Sequence, residues 1–173
     1  MANTYTLISS QVLTSGAATV TFSSIPQTYT DLVLKISLRN DSVGVTFSSL
    51  LYNLNNNYSS VYSRTYLMGS GAAASSARQS AVAQISLQNG YNGPSSTAST
   101  YGNLEIYIPS YTTSQNKPIS NFNVVENNAA TAYINVTAGL FSSTSPITQI
   151  IFSNTGDNFV ATSSFYLYGI SNS

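Results

Sequence analysis

The chain offers ten ionisable acids and bases for chemistry, five Lys or Arg and five Asp or Glu, and it has no His and no Cys. A glycosidase needs two carboxylates flanking a cleft, and the candidates are Asp31, Asp41, Glu105, Glu126 and Asp157. Glu105 and Glu126 each fall within an alternating segment, on the face opposite its aliphatics, where a solvated or salt-bridged carboxylate is expected. Asp31, Asp41 and Asp157 fall at strand ends or turns, where Asp commonly caps the backbone. Serine hydroxyls are abundant, but without imidazole the base would have to be Lys35 or Lys117. Neither belongs to a Ser-x-x-Lys helix start, and no Gly-x-Ser-x-Gly elbow occurs. Gly90-Tyr91-Asn92-Gly93-Pro94 is glycine-rich, yet no Lys-Ser/Thr follows to hold a phosphate. Asn154-Thr155-Gly156-Asp157-Asn158 carries oxygen donors suited to calcium, but only one carboxylate and no EF-hand spacing. It reads as a turn. The Asn-x-Ser/Thr triplets at Asn40, Asn57 and Asn135 are expected by chance in so Asn- and Ser-rich a chain. The expectation is a protein without catalytic residues, cofactor or metal.

The composition excludes further classes. Charged residues make up 6% of the chain and cancel to a net charge of zero, against roughly 25% in ordinary soluble domains. Ser (31), Thr (19) and Asn (18) sum to 68 of the 173 residues, so hydroxyls and amides must wet the surface. No basic excess is available to neutralise phosphates, which argues against a nucleic-acid partner. No apolar run approaches a membrane span, and the start, Met1-Ala2-Asn3-Thr4-Tyr5, lacks the pattern of a signal peptide. A hydrophobic fraction of 42%, with 13 Tyr and 7 Phe, argues for a packed chain rather than a disordered one.

The elements that must position these residues alternate with period two. Over Asp31–Arg39 one face reads Leu32, Leu34, Ile36, Leu38. The pattern recurs as Leu104, Ile106, Ile108, as Ala132, Ile134, Val136, Ala138, and as Phe165, Leu167. These aliphatic and aromatic rows are the expected core, with Ile134 and Val136 among them. Further strands are expected at 4–8, 18–23, 43–53, 59–67, 80–88, 119–126 and 147–153. About ten antiparallel strands in one domain, 1–173, result. The alanines of Gly71–Arg78 are the best helical exception, although glycine-flanked Ala/Ser segments are usually loops. Three connections look long: 69–78, 89–101 and 109–118. Loops of that length are usually functional or docked on a partner.

Tyrosines are the more informative feature. Tyr58, Tyr62, Tyr66, Tyr91, Tyr101 and Tyr111 lie in or beside the Ser/Gly/Asn-rich segments, and that mixture is typical of adaptable contact surfaces. Tyr91, Tyr101 and Tyr111 are therefore expected to touch a ligand or partner. Tyr133, Tyr166 and Tyr168, on the outward faces of their strands, are expected to line an interface between copies. Near-zero net charge removes the self-repulsion that keeps small domains apart, and scarcity of Lys and Glu is what the middle of a protein–protein interface shows.

Two segments carry a resemblance. Phe22-Ser23-Ser24-Ile25-Pro26-Gln27-Thr28-Tyr29-Thr30-Asp31-Leu32-Val33-Leu34 resembles a recurring pattern in small structural proteins of tailed bacteriophages, notably cyanophage-like ones. In that pattern a strand ends in Ile-Pro, a Tyr-Thr/Asp-Leu turn follows, and a long amphipathic strand begins. Asn158-Phe159-Val160-Ala161-Thr162-Ser163-Ser164-Phe165-Tyr166-Leu167-Tyr168-Gly169-Ile170 resembles their final strand, which typically ends in Leu-Tyr-Gly-Ile. The two segments together cover about a sixth of the chain; the middle matches nothing comparable. The resemblance implies a virion component with a jelly-roll-like β-sandwich, commonly a homotrimer, on the particle exterior. The leading expectation is a capsid cement (decoration) protein whose partners are itself and the major capsid protein or other virion proteins. The alternative is a receptor- or carbohydrate-binding tip of a tail or head fibre, with a host surface glycan as ligand.

Overall fold

The computed structural model describes residues 4–171, and every regular element among them is a strand. In chain order these are β1 (Tyr5–Val12), β2 (Thr19–Phe22), β3 (Asp31–Leu38), β4 (Phe47–Leu54), β5 (Tyr62–Gly69) and β6 (Ala74–Val82). They are followed by β7 (Ile85–Asn92), β8 (Gly102–Ile108), β9 (Lys117–Val125), β10 (Tyr133–Phe141), β11 (Ile150–Ser153) and β12 (Ser164–Ile170). One sheet has the order β1-β12-β3-β8-β9-β10-β5-β6 and the other β2-β11-β4-β7, with antiparallel pairing throughout.

Set aside β5, β6, β9 and β10, and two four-stranded sheets remain, β1-β12-β3-β8 against β2-β11-β4-β7. With those strands set aside, the chain passes from one sheet to the other between β1 and β2, β2 and β3, β3 and β4, β7 and β8, β8 and β11, and β11 and β12. That is the path of a jelly roll. The hairpin β5–β6 is inserted between β4 and β7, and β9–β10 between β8 and β11. Both insertions extend the larger sheet beyond β8, which is why twelve strands form where about ten are expected from sequence spacing. Gly71–Arg78, the best helical candidate, opens onto the extended strand β6. The single segment expected at 80–88 is broken at Ala83 and Gln84, which separate β6 from β7, just after Ala81 at a φ of 55°.

The alternating rows place the core as expected in the jelly-roll half. Leu32, Leu34, Ile36, Leu38, Leu104, Ile106, Ile108, Phe165 and Leu167 are all buried. Between the sheets Phe152 meets Phe165 at 5.5 Å and Tyr52 at 5.9 Å, and Phe159 meets Phe165 at 5.4 Å, ring centre to ring centre. Such aromatic contacts add to the area they bury.

In the extension the expectation is reversed. Ile134 and Val136 are each 51% exposed, whereas Asn135 and Thr137 are 1% exposed. Alternation defines two faces but does not say which one is inside, and one anchor settles the parity of a whole strand. In β10 the anchor is Phe141, whose ring stacks on Tyr62 at 4.9 Å. With Phe141 inward, Thr137 and Asn135 must also point inward. Their surroundings are polar: Asn121 donates to Thr137 O at 3.2 Å, Tyr52 donates to Asn121 Oδ1 at 2.9 Å, and Asn135 donates to Gln88 O at 3.1 Å.

The close approach of the two sheets is visible at Gly102, the first residue of β8. A Cβ there would lie 2.5 Å from Gly90 O and 2.6 Å from Tyr91 Cα. Backbone on both sides cannot yield as a flexible side chain could, so Gly102→Ala is expected to destabilise the fold by about 1–3 kcal/mol, read as a lowered thermal or urea midpoint. A midpoint equal to wild type would show that the two strands have slack at this crossing.

Candidate functional site

The jelly-roll path brings four connections to one end of the sandwich: 13–18, 39–46, 93–101 and 154–163. They are bonded to one another rather than merely adjacent. Ala17 and Phe159 exchange backbone bonds at 3.0 and 2.8 Å, and Leu13 bonds with Thr162 and Ser163. Asp41 N donates to Asn158 O at 3.1 Å, while Asp41 Oδ1 and Oδ2 accept from Asn158 N and Nδ2 at 2.9 and 3.0 Å. Those bonds hold the Asp41 carboxyl below the usual carboxylate range. Gly93 and Ser95 donate to Thr46 O and Val45 O.

A buried cation locks this end. Arg39, at the close of β3, is 9% exposed and its guanidinium donates to Thr97 O and Thr100 O at 2.9 Å, to Thr100 Oγ1 at 3.2 Å and to Ser96 O at 3.3 Å. Long polar loops carry carbonyls that must be satisfied when they are drawn against the body, and one guanidinium has enough donors to satisfy several. The outward surface of this end exposes Thr14, Ser15, Pro94, Thr97, Thr155 and Thr162. Val43 projects from it at 94% exposure, beside Gly44 at a φ of 81°. Asp41 is the charged side chain exposed there among the described residues.

The connection 109–118 is secured in the same way. Lys117, fully buried, donates to Thr113 O at 2.7 Å, to Gln115 O and to Ser143 O at 3.5 Å, and desolvation lowers its pKa. Asp31 accepts from Ser110 N at 2.8 Å and Tyr107 OH at 3.0 Å. Arg64 holds the β5–β6 hairpin through Nε and Nη2 on Gln79 Oε1 at 2.9 and 2.7 Å, with Tyr66 beneath its guanidinium at 5.3 Å. Of the three connections noted as long in the sequence, 89–101 and 109–118 are each bound by one buried cation, while Arg64 ties the two strands that flank 69–78. Sequence reasoning weighed Lys117 as a serine base and missed this role. Position was the available signal, since Arg39 closes and Lys117 opens a strand beside a long polar segment in a chain with five cations.

The carboxylates do not converge. Glu105 pairs with Lys35 on the exposed face of the larger sheet. Glu126 accepts the Asn127 and Asn128 amides at 2.9 and 2.8 Å, and Asn154 Oδ1 takes those of Gly156 and Asp157 at 3.1 and 2.7 Å. Both are turn-capping arrangements, and no cluster of acidic ligands forms among the described residues.

The tyrosines separate into two groups. Tyr91 and Tyr111 are fully buried, so the expectation that they present rings to a ligand is corrected: both are core. Tyr91 lies beneath the four-loop end against Phe159 at 6.1 Å, and Tyr111 closes the opposite end through Pro26 O. Tyr91 sits near the end of β7 just after Asn89 at a φ of 42°, and Tyr111 follows the turn at Ser110 beyond β8; in both places polar neighbours disguise the inward direction. Tyr101 is half-buried on the rim of the four-loop end, with its hydroxyl 2.6 Å from Thr162 Oγ1. Tyr133 shares the inward side of β10 with Asn135 and Thr137 and is half-buried against Phe47 of β4 at 4.9 Å, so its expected place on the outward face is corrected. Tyr166 and Tyr168 stand half-buried on the outer face of β12, Tyr168 edge-on to Tyr5 at 6.2 Å.

A scan of the sequence against protein-family models finds no match, and a search of curated proteins finds none either.

Two measurements test this arrangement. Arg39→Met is expected to cost about 2–3 kcal/mol and to speed amide exchange selectively over residues 93–101; exchange that rises evenly over the whole chain would show that the loop is held otherwise. The second concerns pH. Burial raises the Tyr52 and Tyr91 hydroxyls far above their ordinary value and Tyr62 to about 12. A raised folded pKa gives stability that is complete below about pH 10, the unfolded tyrosine value, and is lost as pH climbs through the folded one. Lys117 acts in the opposite sense, its lowered pKa adding a small gain as pH rises toward its ordinary value. With no His or Cys in the chain, the melting temperature is expected to hold from about pH 5.5 to 9 and fall above about 10. A transition near neutrality would contradict it.

Proposed function

We propose that this chain is a virion structural protein that decorates and stabilises a capsid shell, with the four-loop end as its contact surface. The observation that carries this reading is the cross-bracing of four polar loops into one platform, fixed from below by Arg39 and tipped by Val43. A surface ordered before contact loses little conformational freedom on docking. A single exposed carboxylate makes the platform tolerant of a polar shell. The resemblance of Phe22–Leu34 and Asn158–Ile170 to tailed-phage structural proteins supports the same reading. Those segments supply the turn into β3 and the paired strand β12, the third and second strands counted in from the β1 edge of the larger sheet. Jelly rolls occur in capsid and lectin domains alike, so fold likeness adds only a prior. The site adds the argument. Stacking on a sugar ring would need open aromatic faces; Tyr91 and Tyr111 have none, and Tyr101 is half-buried at the rim with its hydroxyl on Thr162. Many copies on a repeating shell would act together, each weak contact raising the effective concentration of the next.

The test is to mix purified protein with capsids of a candidate phage stripped of their decoration. Saturable, stoichiometric binding that raises the melting temperature of the particle is expected. Val43→Asp should weaken binding by roughly 10-fold or more with the melting of the isolated protein unchanged. Capsids that neither bind the chain nor gain stability would overturn the proposal.

A further inference from the structure

The extension strands β9, β10, β5 and β6 present an outer face that the jelly roll does not cover. Leu67 is 57% exposed, Ile134 and Val136 51%, and Phe122 45%. The register aligns them. One row across the four strands reads Phe122, Val136, Leu67, Ser76; the next reads Val124, Ile134, Gly69, Ala74; the third reads Ser120, Ala138, Thr65, Arg78. Bulk declines along the first two rows, from Phe and Val on β9 to Ser and Ala on β6. Around Gly69 this leaves a shallow hollow of about 220 Å³ bordered by Leu67, Ala74, Ile134 and Val136.

We infer that this face binds a second copy of the same chain, packed face to face about a two-fold axis that runs parallel to the strands between β10 and β5. Such an axis sets β9 over the partner copy's β6 and β10 over its β5, in the same row. Phe122 then faces Ser76, Val136 faces Leu67, Val124 faces Ala74, and Ile134 faces the hollow at Gly69. Large meets small in both directions, which is the self-complementarity an isologous interface requires and keeps the layer between two packed sheets even in thickness. In the two apolar rows there is no charge to desolvate, and a partner of strong charge would find nothing there to pair with.

The extent suits a modest dimer. Four strands about 4.8 Å apart and eight residues long at about 3.3 Å per residue span roughly 500 Å² of sheet plane per copy. Side-chain relief carries the two-copy total toward the lower end of the roughly 1,200–2,000 Å² of specific pairs. The wing also needs cover. β6 ends the sheet, and from Ala74 to Ala81 it is exposed on both faces. Both outer edges of this sheet are blunted by a bulge, β1 between Leu7 and Ser9 and β6 opposite Tyr62–Arg64, where Ala81 has a φ of 55°. A docked copy covers the open face of the wing rather than its edge.

The inference does not depend on the decoration role and is tested without capsids. Sedimentation equilibrium of the full chain is expected to give a dimer. Val136→Glu alone and Leu67→Lys alone, both at exposed positions, are expected to remain β-folded by circular dichroism and to weaken dimerisation about 100-fold or more. Because residue 136 of one copy faces residue 67 of the other, mixing the two variants should restore a heterodimer. Ser76→Trp, which adds bulk where Phe122 of the second copy must seat, should also give monomers. A wild-type chain that stays monomeric into the millimolar range, a trimer as the resemblance implies, or charged variants that dimerise like wild type would overturn the inference.

Discussion

The structure depends on a small number of buried cations meeting neutral oxygens, backbone carbonyls for Arg39 and Lys117 and a side-chain amide for Arg64. Arg39, Arg64 and Lys117 are three of the chain's five basic residues, and each is buried against loop or hairpin oxygens. A cation inside a protein must be well supplied with acceptors. Polar loops drawn against a body have the matching need, because their carbonyls lose water. Arg39 and Lys117 answer both needs at once, each for one long connection, while Arg64 joins β5 to β6 through the Gln79 amide. With Lys35 committed to Glu105, Arg78 is the one basic side chain among the described residues that stands exposed without an ion pair or a buried role.

Two features follow. The loops are ordered by the interior rather than by partners, so the end that carries them is a finished surface. The outside, stripped of charge, is left to hydroxyls, amides and a few open apolar rows. A chain built this way gains little from electrostatic steering and must recognise by shape. Its two informative surfaces differ accordingly: the four-loop end is polar, braced and tipped by one aliphatic residue, while the outer face of the extension is apolar and graded in bulk.

The extension also shows how a sandwich can be enlarged at modest hydrophobic cost. Beneath β9 and β10 the interior turns amide-rich, with Asn121, Asn123, Asn135 and Thr137 facing β4 and β7. Several of these amide atoms have no hydrogen-bond partner within the protein, a costly arrangement unless water is admitted. The aliphatic residues that would ordinarily fill such a layer are on the outside instead. Burial is thus shifted from the folding of one chain to contact between chains.

Much of the fold was legible in residue order. Period-two alternation identified the core of β3, β8 and β12, since a strand with Leu32, Leu34, Ile36 and Leu38 on one side has one reasonable place for that side. Turn residues separated most strands, and the absence of His and Cys removed whole chemistries without a coordinate. Alternation could not decide which face of β10 is inside, because Phe141 on Tyr62 sets its parity through a contact more than seventy residues apart in sequence. It could not show that Tyr91 and Tyr111 point inward, since neighbouring polar residues look the same in a loop and beneath one. Nor could it reveal that Arg39 and Lys117 serve loops, because a cation's partners are carbonyls, which every residue has and no sequence letter marks. Residue order fixes where the strands run and how each divides into two faces; which face lies inside belongs to the partner a strand meets, and only the assembled sheets supply that partner.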